Sequence, residues 1–484
     1  MGKERAVSTS WFIRVACAAA LLLGAGCATA PVRDWESKTF EFPYVHDYEV
    51  VNRTTFTWRD DFLSADSRAY SQELAGPLSA LAASVYGYRH DLDVHALVEM
   101  GFNAASLYRR YGRDLDYADA TYGRDQVGFT LAAKRIFLDG ALHDVLFVVV
   151  RGTYGRDEWI SNMNICNTPG RAVDFAPEQV PALHEGFRKA ADAVQTAVEA
   201  YVASNGVDCA SAKVVVTGHS RGAAVANLLG ARLDDGKLLP GVRPGNAFVY
   251  AFAPPNTVLD PAAETDAPRY GNIFNIVNPE DMVPLVPITK WSSRRYGRDL
   301  LLKHYDALST WEVWTDPAYN AMKDEFRTMT GYEWWHTPFG TNSTYLVPAV
   351  LGAVAPTVPD LYLVTKDQRD AGNTTSVHSI LEMMVFRSMD PVSDAPDPSL
   401  GDDVRQLTRV YSKMRDSKRA EDGDDYFYTP DGRDFSRQPG IFDLPWRLSC
   451  MHATQTYIGW MKAAELYGPA AVYRNWPSTE NKER

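Results

Sequence analysis

Cysteine is scarce, with five in 484 residues and none in Cys-x-x-Cys spacing. That excludes a zinc ribbon and a disulfide-dense scaffold. Basic residues are outnumbered, 49 Lys and Arg against 61 Asp and Glu for a net charge of -12. No Lys/Arg block exists to track a phosphate backbone, so nucleic-acid binding is disfavoured. Long uninterrupted apolar runs are missing beyond the N-terminus. The apolar stretch Leu346–Val364 is broken by Pro348, Pro356 and Pro359; it reads as buried packing first and a lipid-facing surface second, and makes a poor membrane span. No solenoid period is found either. Tyr-Gly-Arg-Asp occurs at 111, 122, 154 and 296 at unrelated spacings, which reads as repeated turn chemistry. What is present is a chain with 45% hydrophobic, 23% charged and 12% aromatic residues, able to bury a sizeable core. By length alone it allows two or three domains.

The first residues read as an address. Lys3, Arg5 and Arg14 precede the small and apolar run Val15–Gly26, a basic region followed by a short hydrophobic one, as in a signal peptide at residues 1–26. The run ends at Gly24, Ala25, Gly26 and Cys27, and small residues ahead of a cysteine resemble the bacterial lipobox, with Cys27 as the lipidated first residue of the mature chain. Gly24 stands where Leu is usual, and ordinary cleavage near Ala28 to Ala30 or an uncleaved anchor are the alternatives. Cleavage removes three basic residues and one acidic one, leaving a more acidic protein held to a membrane by lipid rather than by charge. With Cys27 acylated, Cys166, Cys209 and Cys450 permit one disulfide at most.

Residues 27–60 are polar and aromatic without clear periodicity and read as an extended tether. From Tyr70 to Tyr86, apolar residues at helical spacing (Leu74, Leu78, Leu81, Val85) predict an amphipathic helix. Strands are predicted at Gln126–Ala133 and Val145–Val150, the second apolar enough for a sheet covered on both faces. Then come helix Ala182–Ala203, strand Lys213–Thr217, helix Arg221–Leu233, strand Ala247–Ala253 and strand Ile273–Val277. This alternation predicts an α/β fold with a mostly parallel sheet. Residues 290–440 lose the alternation and read as a cap-like insertion, with Asp390–Asp403 as a surface loop.

The strongest chemical signal is Gly218-His219-Ser220-Arg221-Gly222, directly after Val214–Val216 and before a helix rich in alanine. Gly-x-Ser-x-Gly between a strand and a helix is a nucleophile elbow, with glycines where strand and helix approach too closely for side chains. A serine hydroxyl needs a histidine base, and the base needs a carboxylate to orient it. Asp281 lies just past the strand Ile273–Val277 and is the preferred carboxylate, with Glu280, Asp260 and Asp266 as competitors. Downstream histidines are His304, His336, His378 and His452. His452, at the start of a helical pattern near the C-terminus, is preferred, and His378 and His336 remain open. His219 is expected to support the site without reacting.

These residues resemble the class three lipases, the fungal-lipase-like branch of the α/β-hydrolases. The resemblance spans roughly 120–300: Val148–Thr153 with Glu158-Trp159, His184–Phe187, the serine elbow, and Asn275–Pro287; the segment 70–86 also resembles the opening helix of bacterial members. It implies an α/β-hydrolase with helices flanking the sheet and with a lid at Tyr154–Ile165. It also implies an oxyanion site at Thr153, through its backbone N–H and its hydroxyl, and at the backbone N–H of Arg221. Two departures stand out. Arg221 occupies a place where Leu is usual, its charge altering the rim, and the chain between Asp281 and His452 is long.

The expected activity is therefore that of a serine esterase or lipase on carboxylic esters of lipids, acylglycerol or phospholipid, through Ser220, His452 and Asp281. No metal or organic cofactor is required. The lipid anchor at Cys27 predicts an exported protein on a bacterial membrane. Acyl transfer on the same scaffold, and an inactive lipid-binding lipoprotein, are the competing readings.

Overall fold

The apolar runs form the middle of one sheet. The computed structural model describes residues 36–44, 47–111, 127–154, 158, 161–162, 182–260, 262–281, 283–285, 294–303, 315–334 and 450–476. Its elements in chain order are β1 (Ser37–Tyr44), β2 (Asp47–Thr57), α1 (Gln72–Ser84), α2 (Leu92–Glu99), β3 (Tyr108–Arg110), β4 (Phe129–Leu138) and β5 (Ala141–Val150). There follow α3 (Glu185–Asn205), β6 (Lys213–His219), α4 (Arg221–Asp234), β7 (Ala247–Phe252), β8 (Ile273–Val277), β9 (Arg298–Leu301), α5 (Pro317–Thr330), α6 (Thr454–Tyr467) and α7 (Pro469–Val472).

Strands β3 to β9 lie side by side in sequence order in one seven-stranded sheet. β3, β4 and β5 pair antiparallel, and β5 through β9 run parallel. This mostly parallel sheet flanked by helices is the α/β-hydrolase plan expected from the sequence. The period of two in a strand sends successive side chains to opposite faces. Val145, Phe147 and Val149 accordingly join a core with Leu74, Leu78 and Leu81 of α1 and Tyr457 and Trp460 of α6. Leu146, Val148 and Val150 join a second core with Phe187, Ala190, Val194 and Val198 of α3 and Leu228 and Leu229 of α4. Every residue of β6 is buried, which is why Val214, Val215 and Val216 follow one another without alternation.

Two expectations are corrected. Residues 37–44 and 47–57 of the expected tether form the antiparallel pair β1–β2, whose Phe40, Phe42 and Phe56 are each at most 1% exposed. Alternating Phe40, Phe42 and Tyr44 supply the buried face, and burying each large side chain contributes on the order of 2 kcal/mol. Parts of the expected insertion also belong to the main body. β9 extends the sheet beside β8, and α5 packs on α6 through Met322, with the α-carbon of Gly459 lying against its backbone. Asp316 caps α5 by accepting from the N–H groups of Ala318 and Tyr319, Pro317 opens it, and Gly331 closes it at φ 76°.

Residues 1–35, including Cys27, and residues 335–449 lie outside the described residues. Cys209 and Cys450 are free thiols. Among the described residues no helix is long and apolar enough to cross a membrane, and no His, Cys, Asp or Glu cluster could hold a metal ion.

Candidate active site

The C-terminal ends of β5, β6, β7 and β8 converge on one edge of the sheet, and the turn between β6 and α4 stands there. Ser220 occupies it with φ 58° and ψ -127°, a conformation that costs a non-glycine residue about 1–3 kcal/mol. Three features hold it: the Ser220 N–H donates to the Phe252 carbonyl at 2.9 Å, the Ser220 carbonyl accepts from the Ala224 N–H at 3.0 Å, and the flanking glycines let the backbones close. A β-carbon on Gly222 would lie 2.2 Å from the Val150 carbonyl oxygen, and one on Gly218 2.5 Å from the Gly222 carbonyl carbon. Neither position accommodates a side chain.

Asp281 is fully buried just past β8. Its Oδ1 accepts the Val283 N–H at 2.9 Å. Its Oδ2 accepts the Tyr457 hydroxyl at 2.8 Å and His452 Nδ1 at 2.8 Å. A carboxylate at this distance fixes the His452 ring with Nδ1 as donor, so Nε2 is the basic nitrogen. Burial first, and Asp281 second, hold the Tyr457 phenol well above its ordinary range, and it stays a donor at every pH the protein meets. Its oxygen also accepts the Asn278 N–H at 3.2 Å, while the Asn278 amide donates to the Met451 carbonyl at 3.2 Å. Tyr457 and Asn278 thereby lock the loop carrying Asp281 to the segment carrying His452.

His219 ties that segment to the elbow. Its Nε2 donates to the His452 carbonyl at 2.9 Å, and its Nδ1 accepts from the Tyr86 hydroxyl at 3.0 Å. Burial, and then the neighbouring His452, push its pKa well below 6.5, so the neutral tautomer with the proton on Nε2 is fixed. The His219 and His452 rings lie 4.7 Å apart, and His452 thereby stands beside the residue that precedes Ser220.

Among the competing carboxylates, Glu280 is buried, Asp266 is exposed, and Asp260 accepts the Ala262 N–H within its own turn. None has a bond to His452 among the described contacts. His304, His336 and His378 lie outside the described residues.

Thr153 follows β5. Its Oγ1 accepts from the Asn162 amide at 2.8 Å. Arg221 corrects an expectation: its side chain is 1% exposed and lies inside the protein rather than on the rim. The guanidinium sits over the Phe187 ring at 5.8 Å and donates to Asn162 Oδ1 at 3.0 Å. His184 Nε2 donates to the Asn162 carbonyl at 3.0 Å, and His184 Nδ1 caps α3 by accepting the Phe187 N–H. Arg151 forms a buried ion pair with Glu158 at 2.9 Å, and Glu158 also accepts the Tyr154 N–H, fixing the backbone just after Thr153. Of the expected lid, Tyr154, Glu158, Ser161 and Asn162 are described; Trp159 and the rest lie outside.

Asn162, Tyr457 and Tyr86 were not legible as site residues. Tyr457 lies near the start of the apolar helix α6, five positions after His452, where nothing separates it from a core tyrosine. Asn162 meets partners nine and 59 residues away, and no local pattern encodes them.

Residues 147–291 match the family model described as Lipase (class 3), which bears out the resemblance read from the motifs. A lipase of Rhizomucor miehei is 30% identical over 149 residues, covering 31% of this chain and 39% of that protein. The chain thus matches about two fifths of the length of that curated relative. Among solved structures, the Rhizomucor miehei lipase propeptide complex is 22% identical, covering 49% of this chain and 70% of that one at a TM-score of 0.31. Lipase II from Rhizopus niveus is 22% identical, covering 37% of this chain and 63% of that one at a TM-score of 0.27.

Proposed function

We propose that this chain, with a class 3 lipase region at residues 147–291, hydrolyses carboxylic ester bonds of lipids through an acyl-enzyme on Ser220. The observation that carries the reading is a buried carboxylate, Asp281, holding His452 beside the elbow that presents Ser220. In this reading His452 Nε2 takes the Ser220 proton as Oγ attacks the ester carbonyl, and Asp281 stabilises the imidazolium. His452 then protonates the leaving alcohol. Water, deprotonated by the same nitrogen, releases the acid and restores Ser220.

The negative charge that develops on the carbonyl oxygen is received by the backbone N–H groups of Thr153 and Arg221, with the Thr153 hydroxyl as a further donor. Arg221 is the first residue of α4, so its N–H is among those that a helix leaves without an internal acceptor, and the positive end of the helix dipole faces the same oxygen. One such donor is worth about 3 kcal/mol of the barrier. The reaction needs no metal or organic cofactor. Acylglycerols and phospholipids share the ester chemistry this site addresses, and both belong to the reading. Export and anchoring through a lipid on Cys27 complete it, placing the site at a membrane surface that carries its substrate.

The test is hydrolysis of p-nitrophenyl esters of increasing acyl length and of emulsified acylglycerols and phospholipids by the purified protein. Ser220→Ala and His452→Ala are each expected to abolish turnover while the protein stays folded. Turnover that survives Ser220→Ala overturns the reading. For the anchor, Cys27→Ser is expected to move the protein out of the membrane fraction, and an unchanged distribution refutes acylation there.

A further inference from the structure

Asn162 has each side of its amide assigned by a neighbour. Arg221 can only donate, and its Nη1 bonds Asn162 Oδ1 at 3.0 Å. The Nδ2 of Asn162 is therefore the group that faces Thr153 Oγ1, at 2.8 Å. The backbone of Asn162 is held from the other side by His184 Nε2, which donates to its carbonyl at 3.0 Å. A threonine hydroxyl carries one proton and two lone pairs. With Oγ1 accepting from Asn162, its own proton is available to donate elsewhere. Were the amide turned over, Oδ1 would face Thr153, and the hydroxyl proton would be spent on Asn162.

We propose that the Arg221 side chain is a positioning residue for ester hydrolysis: by fixing the orientation of the Asn162 amide, it turns the Thr153 hydroxyl into a donor to the carbonyl oxygen of the substrate. Arg221 thus serves the site twice, through its backbone N–H at the start of α4 and through a buried guanidinium that never touches substrate. Burial among Phe187 and Asn162 suits this role, because a guanidinium stacked on a ring and shielded from water keeps one geometry. The inference rests on the function proposed above.

A double-mutant cycle tests it. Steady-state kinetics on p-nitrophenyl butyrate are measured for wild type, Arg221→Met, Thr153→Val and the double variant, with thermal melts for each. Neither change removes a backbone N–H. Each single variant is expected to lose roughly a hundredfold in kcat, the scale of one oxyanion donor, with KM changed less than twofold. If Arg221 acts through the Thr153 hydroxyl, the double variant loses about the same hundredfold, because the second change removes nothing the first has left. Arg221→Lys, which keeps a donor, recovers part of the loss.

Losses that multiply to roughly ten thousandfold, or an Arg221→Met enzyme with wild-type kcat, overturn the proposal. Should Arg221→Met fail to fold, Asn162→Asp replaces it in the same cycle: an aspartate can only accept, so it takes the Thr153 hydroxyl proton, the same overlapping loss is expected and the same multiplicative result contradicts it. Wild-type protein without Ser220-dependent turnover would instead sink the esterase reading itself. Ser220-dependent turnover with multiplicative losses sinks only the role of Arg221.

Discussion

His184 gives the protein a built-in sensitivity to acid. The ring is 1% exposed, donates from Nε2 to the Asn162 carbonyl and accepts from Phe187 at Nδ1, so both nitrogens are used in the neutral form. Burial, with Arg221 close by adding its repulsion, pushes its pKa down to about 3 from 6.5. A lowered pKa means that the unfolded chain binds the proton more readily than the folded one. The stabilisation is therefore complete above pH 6.5 and lost as pH falls towards 3. At about 1.4 kcal/mol per unit, the full difference is on the order of 4 to 5 kcal/mol. About 2 kcal/mol of it is gone by pH 5. The perturbation is His184→Gln, which keeps an N–H near the Nε2 position and cannot titrate. Urea unfolding of both proteins is followed by tryptophan fluorescence from pH 8 to pH 4, and the difference in unfolding free energy is plotted against pH. Near pH 8 the variant is expected to be the less stable by about 1 kcal/mol, the worth of a helix cap. Below pH 6.5 the difference moves in the variant's favour by up to about 1.4 kcal/mol per unit, because the titrations common to both proteins cancel. A flat difference across the whole range refutes the claim that His184 is held neutral by its surroundings.

Three further outcomes follow from the packing and the site. Tyr457→Phe removes a donor from a buried carboxylate; it is expected to cost about 1–3 kcal/mol in urea unfolding and to lower kcat with little change in KM, and an unaltered kcat would show that Asp281 does not depend on the Tyr457 hydroxyl. Gly222→Ala places a β-carbon 2.2 Å from the Val150 carbonyl oxygen, so the soluble yield should collapse or the melting temperature fall by an amount matching about 3 kcal/mol or more; a near-normal melt would mean that strand and helix can part. Phe40→Ala is expected to destabilise by about 3–5 kcal/mol as a core truncation, whereas a mobile tether at 27–60 would leave the melting temperature unmoved.

The elements best written into the sequence are those whose environment is uniform. β6 and β8 are buried on both faces, and their apolar runs leave a single reading, with β8 found at the expected residues. α3 shows its buried stripe at helical spacing, α4 is buried almost all round, and the elbow between β6 and α4 needs its glycines for steric reasons visible in five letters. Hairpin β1–β2 was hidden because Lys38 shares the face of Phe40 and Phe42 and the buried Pro43 breaks the alternation, and because the helices it packs against come later in the chain. α5 carried a readable frame in Asp316, Pro317 and Gly331, but its apolar positions Tyr319, Met322, Phe326 and Met329 are embedded in an aromatic-rich stretch that masks the period. The pairing of Asp281 with His452 beside the elbow was readable in advance because the chemistry expected there restricts residue type and order. Asn162 was not, since its contacts with Thr153, His184 and Arg221 join residues nine to 59 positions away.

The central claim, that Ser220 is an activated nucleophile, is met most directly by a fluorophosphonate probe on the folded, purified protein in the presence of detergent, with the adduct located by mass spectrometry. Labelling at Ser220 alone, absent in Ser220→Ala and strongly slowed in His452→Ala, is the predicted result. A folded protein that takes up no probe, or takes it up at another serine, contradicts the account.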